Sequence, residues 1–341
     1  MKTYLITGGA GFIGSNFVKF LLKTHIDIRI INIDKLTYAG NLESLKEIED
    51  YPNYQFVQGD ICDDELITKI FNENDIDYVV NFAAESHVDR SIETPMIFVE
   101  TNVLGTVNLL NKAKGAWEVK NGFKPCKKFI QISTDEVYGS LGTTGYFTEN
   151  SPLDPHSPYA SSKAAADLMV KAYYDTYKMP VNITRCSNNY GPYQFPEKLI
   201  PLMIVRALNK HALPIYGDGQ NVRDWLYVED HCKAIETVIR NGEPGEVYNI
   251  GGNNEKTNND IVQTILNYIH ENIDQTVAEN LITYVEDRKG HDRRYAIDAR
   301  KIKDTLGWSP DTTFEEGIIQ TIQWYIENQG WIRQVQGGSH E

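Results

Sequence analysis

The chain has 341 residues, and 33 Lys+Arg against 47 Asp+Glu give it a formal net charge of -14. So acidic a field disfavours nucleic acid and anionic membrane surfaces as partners. An apolar share of 41% and a charged share of 23% are those of an ordinary globular protein, which disfavours disorder, collagen and coiled coil, and no apolar stretch approaches the roughly 20 residues of a membrane span.

At about 150 residues per domain, the length suggests two domains or one large α/β domain with an extension. Met1-Lys2-Thr3 leads into a short apolar strand and a Gly-rich turn, not into the apolar core and cleavage site of a signal peptide. From residue 1 to about 186, short β-rich runs at 4–6, 28–33, 54–57, 78–82, 129–132 and 181–184 alternate with helical periods at about 12–23, 63–73, 95–116 and 158–178. Asp63 and Pro158 mark two of the helix starts. Alternation of this kind predicts an α/β fold, a Rossmann-type doubly wound parallel sheet with crossover helices.

After Asn188 the pattern loosens. Pro192, Pro196, Pro201, Pro214 and the turn Gly217-Asp218-Gly219 interrupt it, with helices expected near 197–209, 230–240, 258–271 and 314–328. The expected organisation is a dinucleotide-binding domain over 1–187 with a returning segment near 222–245. A smaller, partly interleaved α/β substrate-binding domain follows over 188–331, and a flexible tail over 332–341.

Cys62, Cys126, Cys186 and Cys232 are widely spaced. They suggest neither a zinc site nor a disulfide framework, and so a reduced, cytoplasmic protein. The eight histidines lack metal-ligand spacing, and no metal is expected.

Gly8, Gly11 and Gly14 lie between the first strand and the first helix. Glycines there permit a tight turn and close backbone approach, so a pyrophosphate can rest on the helix N-terminus. Asp34 ends the second strand, 20 residues beyond Gly14. A carboxylate at that place accepts from ribose hydroxyls and repels a 2'-phosphate, which favours NAD over NADP, while the adjacent Lys35 pulls the other way. Asp60-Ile61 follows the third strand, and two readings stand for Asp60: contact with the adenine, or a helix cap.

Tyr159 and Lys163 form Tyr-x-x-x-Lys on a predicted helix, a spacing of four that puts both on one face. An ammonium beside a phenol is expected to lower its pKa, so the phenolate can take a carbinol proton while hydride leaves. Isolated, such a pair is more often core and surface; the upstream glycine pattern gives it meaning.

With both motifs present, the sequence resembles the extended short-chain dehydrogenase/reductase family, whose members act mostly on nucleotide sugars. Ser133-Thr134-Asp135-Glu136-Val137-Tyr138-Gly139 is similar to the active-site segment of its dTDP-glucose 4,6-dehydratase branch, and the acidic pair Asp135-Glu136 discriminates that branch from epimerases and decarboxylases. Further similar segments are 83–91, 185–192, 196–199, 216–219, 221–225 and 290–295.

The resemblance implies an NAD-dependent dehydration of dTDP-glucose, with a homodimer as the assembly. It implies that Tyr159 is the base for the C4 hydroxyl, Lys163 its electrostatic partner and Thr134 a donor to the C4 oxygen. Glu136 is then the C5 base and Asp135 the C6 acid, kept protonated by burial and its acidic neighbour. The implied cofactor contacts are Gly8, Gly11, Phe12, Ile13, Gly14, Asp34, Lys35, Thr37, Asp60, Ile61, Ala83, Ala84, Thr101, Tyr159 and Lys163. Those for the substrate are Ser86, Asn188, Lys198, Leu199, Tyr216, Arg223, Asn258, Arg288 and His291, with the two arginines on the diphosphate. One departure is Lys289, where relatives often carry proline, which bears on the placement of Arg288.

The net charge fits an anionic substrate once it is resolved locally. Residues 287–304 hold seven Lys/Arg against four Asp, a local +3 within an acidic chain.

Overall fold

Strand and helix alternate as the apolar runs predict. The computed structural model describes residues 1–287 and 292–337. β1 (Lys2–Thr7), α1 (Phe12–Thr24), β2 (Ile28–Asp34), β3 (Tyr54–Gln58), α2 (Asp64–Glu73) and β4 (Tyr78–Asn81) come first. A broken helical stretch follows, with α3 (Val88–Glu93), α4 (Pro95–Phe98), a π-turn at Val99–Gly105 and α5 (Thr106–Trp117). A small hairpin, β5 (Glu118–Val119) and β6 (Gly122–Phe123), leads to β7 (Lys128–Thr134), a 3-10 turn at Asp135–Tyr138, α6 (Pro158–Tyr177) and β8 (Val181–Cys186).

The rest of the chain forms β9 (Asn188–Tyr190), α7 (Leu199–Leu208), β10 (Leu213–Tyr216), β11 (Val222–Tyr227), α8 (Val228–Asn241) and β12 (Val247–Ile250). β13 (Glu255–Thr257), α9 (Asn258–Asn272), β14 (Ile282–Val285), α10 (Arg300–Leu306), α11 (Phe314–Glu327) and α12 (Gln329–Gly337) complete it.

Seven parallel strands make the central sheet in the order β12-β8-β7-β4-β1-β2-β3. The chain moves outward from β1 to β3 and then crosses to β4 on the other side of β1. This reversal opens a crevice beyond the carboxyl ends of β1 and β4, where a doubly wound sheet binds its ligand. Phe17 and Leu21 of α1 and Ile235 and Val238 of α8 cover one face of the sheet. Ile67, Leu109, Leu110 and Val170 cover the other. Each such aliphatic side chain contributes about 1.5–3 kcal/mol by leaving water. A second core gathers Ile204 of α7, Ile265 of α9, Ile318 of α11 and Trp331 of α12 beside the small sheet β13-β11-β9. No helix among the described residues is long and apolar enough to cross a membrane.

Three details differ from the expectation. The sheet has a seventh strand, β12, pairing Val247–Ile250 with β8. The returning segment therefore runs from α8 to β12, while Val222–Tyr227 stays in the small sheet, so 222–245 is corrected to about 228–250. The helix expected over 95–116 is broken by the π-turn, where Asn102 turns its side chain inward to bond Glu85 and Ser162. Residues 332–337 are not a loose tail, because Ile332 and Val335 on α12 are buried in the second core.

Candidate active site

Gly8 leaves β1 with φ +70, and a Cβ there would lie 2.6 Å from the Ala83 nitrogen. A Cβ on Gly14 would stand 2.3 Å from the Gly8 oxygen. Only glycine permits both approaches. Gly11 precedes α1 and offers no side-chain cap, so the first N–H groups of the helix, at Phe12, Ile13 and Gly14, border with Gly11 a cleft suited to an anion.

At the far end of this cleft Asp34 accepts from the backbone N–H of Ala10 at 2.9 Å and of Leu36 at 2.8 Å. Burial pushes its carboxyl up, against the pull of these N–H groups. Lys35 pairs with Asp60 at 2.7 Å, and the other Asp60 oxygen accepts from the Cys62 N–H at 2.9 Å. Of the two readings of Asp60, the helix cap is ruled out, because Asp63 caps α2 instead. The residues expected to hold the dinucleotide, Thr37, Ile61, Ala84 and Thr101 among them, all border this one cleft. A glycine cradle at a helix start and a carboxylate at the end of β2 fit an adenine dinucleotide.

Deeper in the cleft, β7 ends at Thr134 and the turn begins. The Thr134 hydroxyl accepts from the Glu136 N–H at 3.3 Å and donates to Asp135 Oδ1 at 3.4 Å. Asp135 is 2% exposed. Burial first, then the Glu136 and Asp224 carboxylates, hold its carboxyl well above the usual carboxylate range. The direction of the shift favours its protonated form. Glu136 borders the open cleft.

Tyr159 and Lys163 stand one turn apart on α6, started by Pro158 and capped by Ser157. Lys163 Nζ donates to the Ile132 carbonyl at 2.6 Å. The expected lowering of the Tyr159 pKa is not found: burial and the Glu136 field raise it well above its ordinary value, against the opposing pull of a Thr134 hydrogen bond. The ammonium is turned to a backbone carbonyl, and two carboxylates act on the phenol from the turn.

On the substrate side, Ser86, Asn188 and Lys198 border the same cleft. Leu199 starts α7, Tyr216 ends β10 with 40% exposure, and Asn258 starts α9, all outside the cleft lining. Arg223 is buried on β11, donates to the Val222 and Asp292 carbonyls at 2.8 and 2.9 Å, and lies 4.2 Å over the Tyr295 ring. Its charge lowers the pKa of Asp135, so it sits within electrostatic reach of the turn. Arg288 and His291 lie outside the described residues.

Tyr38 also borders the cleft, as do Cys186 and Glu197, which lie in the similar segments 185–192 and 196–199 with no role assigned to them from sequence. The Arg90 guanidinium lies 3.9 Å over the Tyr38 ring, and Glu197 stands 3.6 Å from His87 Nε2. Adjacency to Thr37 and Lys198 was the available signal for two of them.

The family model described as GDP-mannose 4,6 dehydratase matches residues 5–321. The chain is 53% identical to a dTDP-glucose 4,6-dehydratase of Xanthomonas campestris pv. campestris, across 100% of this chain and 97% of that one. It resembles the crystal structure of dTDP-glucose 4,6-dehydratase from Bacillus anthracis in complex with NAD, with a TM-score of 0.89, 52% identity and coverage of 98% and 100% of the two chains. It also resembles a dTDP-glucose 4,6-dehydratase from Streptomyces venezuelae with NAD and TYD bound, with a TM-score of 0.90, 46% identity and coverage of 98% and 99%.

Proposed function

The chain belongs to the dTDP-glucose 4,6-dehydratase family, and we propose that it converts dTDP-glucose to dTDP-4-keto-6-deoxyglucose with bound NAD, as a hydro-lyase serving deoxysugar synthesis. The observation that carries this reading is the buried Asp135, its carboxyl pushed up by burial, next to Glu136, which borders the same cleft as Tyr159 and Lys163. NAD, when bound, supplies a hydride acceptor that later gives the same hydride back.

The chemistry explains the residue types. The C5 proton of a hexose is not acidic until C4 is a ketone. Tyr159 takes the C4 hydroxyl proton, Thr134 donates to the C4 oxygen, and Lys163 holds positive charge near the phenolate. Glu136 then removes the C5 proton while Asp135 protonates the leaving C6 hydroxyl. After hydride reaches C6, Glu136 returns a proton to C5. Arg223 and Arg288 hold the diphosphate, with Asn188 and Asn258 as hydrogen-bonding partners. Ser86, Lys198, Leu199, Tyr216 and His291 complete the substrate contacts.

Incubation with dTDP-glucose is expected to yield the 4-keto-6-deoxy sugar nucleotide without net NAD consumption. A 4-epimer as product contradicts the reading, and faster turnover of CDP-, UDP- or GDP-glucose contradicts the nucleotide assignment.

The working assembly is proposed as a homodimer. Met96, Leu104 and Leu168 are 66%, 57% and 60% exposed on the neighbouring elements α4, the π-turn and α6, and a second copy covers such a face. A monomer by light scattering contradicts this. All four cysteines are free, which supports a reducing, cytoplasmic setting.

A further inference from the structure

Tyr159, Lys163 and Asp167 recur at four-residue intervals on α6 and so share one face. Asp167 is 1% exposed, and a carboxylate at that depth is costly unless paired. Its Oδ2 accepts from Arg185 Nε on β8 at 2.9 Å. Arg185 Nη1 donates to the Tyr138 hydroxyl at 2.9 Å, and Tyr138 donates onward to Asn249 Oδ1 on β12 at 2.8 Å. Tyr138 is the last residue of the turn that carries Asp135 and Glu136. One buried ion pair therefore joins the helix of the oxidation residues to the turn of the elimination residues.

We propose that Asp167 and Arg185 are positioning residues for both halves of the reaction: Asp167, one turn beyond Lys163 on the face it shares with Tyr159, supplies the counter-charge of Lys163, and Arg185 links that face through Tyr138 to the turn of Asp135 and Glu136. The inference rests on the assignment of Tyr159 and Lys163 to C4 oxidation.

The titratable and charged groups gathered here are Tyr159 and Asp167 on the helix of Lys163, Arg185 and Cys186 on β8, and Asp135 and Glu136 on the turn. Burial lowers the proton affinity of Lys163, and Asp167, whose own carboxyl burial pushes up against the pull of Arg185, is the foremost group opposing it, ahead of Cys186. The ammonium is the working form, so activity is present below the Lys163 pKa and falls as pH rises through it. Loss of Asp167 moves that fall to lower pH.

The test compares wild-type holoenzyme with Asp167→Asn, Asp167→Glu and Arg185→Lys. It follows kcat against pH and, independently of turnover, the titration of the Lys163 side chain by NMR with isotope-labelled lysine, assigned through Lys163→Met. Asp167→Asn is expected to move both titrations down by about one pH unit or more, and Asp167→Glu to restore them. Arg185→Lys keeps the counter-charge and breaks the bond to Tyr138. Its alkaline limb stays in place while elimination slows about tenfold to a hundredfold, read as accumulation of the 4-keto hexose before water is lost. Unshifted titrations in folded Asp167→Asn overturn the proposal; where that variant does not fold, a wild-type elimination rate in Arg185→Lys does so. Tyr159→Phe separates the two levels. Wild-type turnover there removes the assignment of Tyr159, whereas an inactive Tyr159→Phe with an unshifted Asp167→Asn removes only the positioning role.

Discussion

The Lys35 ammonium lies 2.7 Å from an Asp60 carboxylate oxygen, at the end of the cleft marked by Asp34. The charge that would welcome a 2'-phosphate is thus engaged by a neighbour, and a carboxylate at Asp34 would repel that phosphate.

Asp60→Asn releases Lys35. The preference for NAD over NADP is expected to narrow by roughly threefold to tenfold, a modest change because an exposed pair is worth little. Fluorescence titration of the two dinucleotides measures it, and an unchanged ratio contradicts a role for Lys35 in discrimination.

Gly14→Ala places a Cβ 2.3 Å from the Gly8 carbonyl oxygen, which is backbone and cannot rotate away. The turn must shift, at about 1–3 kcal/mol, and the cradle for the diphosphate shifts with it. NAD affinity is expected to fall at least tenfold by calorimetry, with a lower melting temperature; wild-type affinity contradicts the placement of the diphosphate.

These glycines and the six predicted strands were legible because each is a local signal: a buried parallel strand reads as an apolar run, and a close approach demands glycine. β12 was missed because Val247–Ile250 is four residues long and contains Asn249, buried for its hydrogen bonds and not for apolarity. The run Gly337-Gly338-Ser339 makes 332–341 read as a tail, although Trp331, Ile332 and Val335 already hold a helical spacing. Orientation was the least legible property. Spacing put Tyr159 and Lys163 on one face, but only the folded chain turns Lys163 to the Ile132 carbonyl and sets carboxylates against the phenol. Asn102 belongs to a π-turn, whose departure from the ordinary helical period no residue pattern announced.

Asp135 keeps its proton in the folded state at pH values where the unfolded chain has released it. Its contribution to stability is therefore full below the usual carboxylate range and declines as pH rises toward its raised pKa. Asp135→Asn removes that decline. The variant is expected to melt above wild type at neutral pH while elimination falls by about 10²–10⁴-fold. A lower melting temperature with an unchanged pH slope contradicts the raised pKa.

His231 is fully enclosed on α8, with Nδ1 2.8 Å from Asn189 Oδ1, and burial pushes its pKa down to about 3. An unfolded histidine gains its proton near pH 6.5. The stability of the neutral, buried form is present above that pH and is lost as pH falls toward the folded value, at about 1.4 kcal/mol per pH unit per proton. His231→Gln is expected to flatten the acid side of the urea-unfolding profile, and an equally steep profile contradicts the assignment of that slope to His231.

The central claim is that one hydride leaves C4 and returns to C6 of the same sugar within this cleft. dTDP-glucose deuterated at C4, turned over in ordinary water, is expected to give dTDP-4-keto-6-deoxyglucose with the deuterium at C6, read by mass spectrometry and NMR. Deuterium lost to bulk water, or retained at C4 in an epimerised sugar, contradicts it.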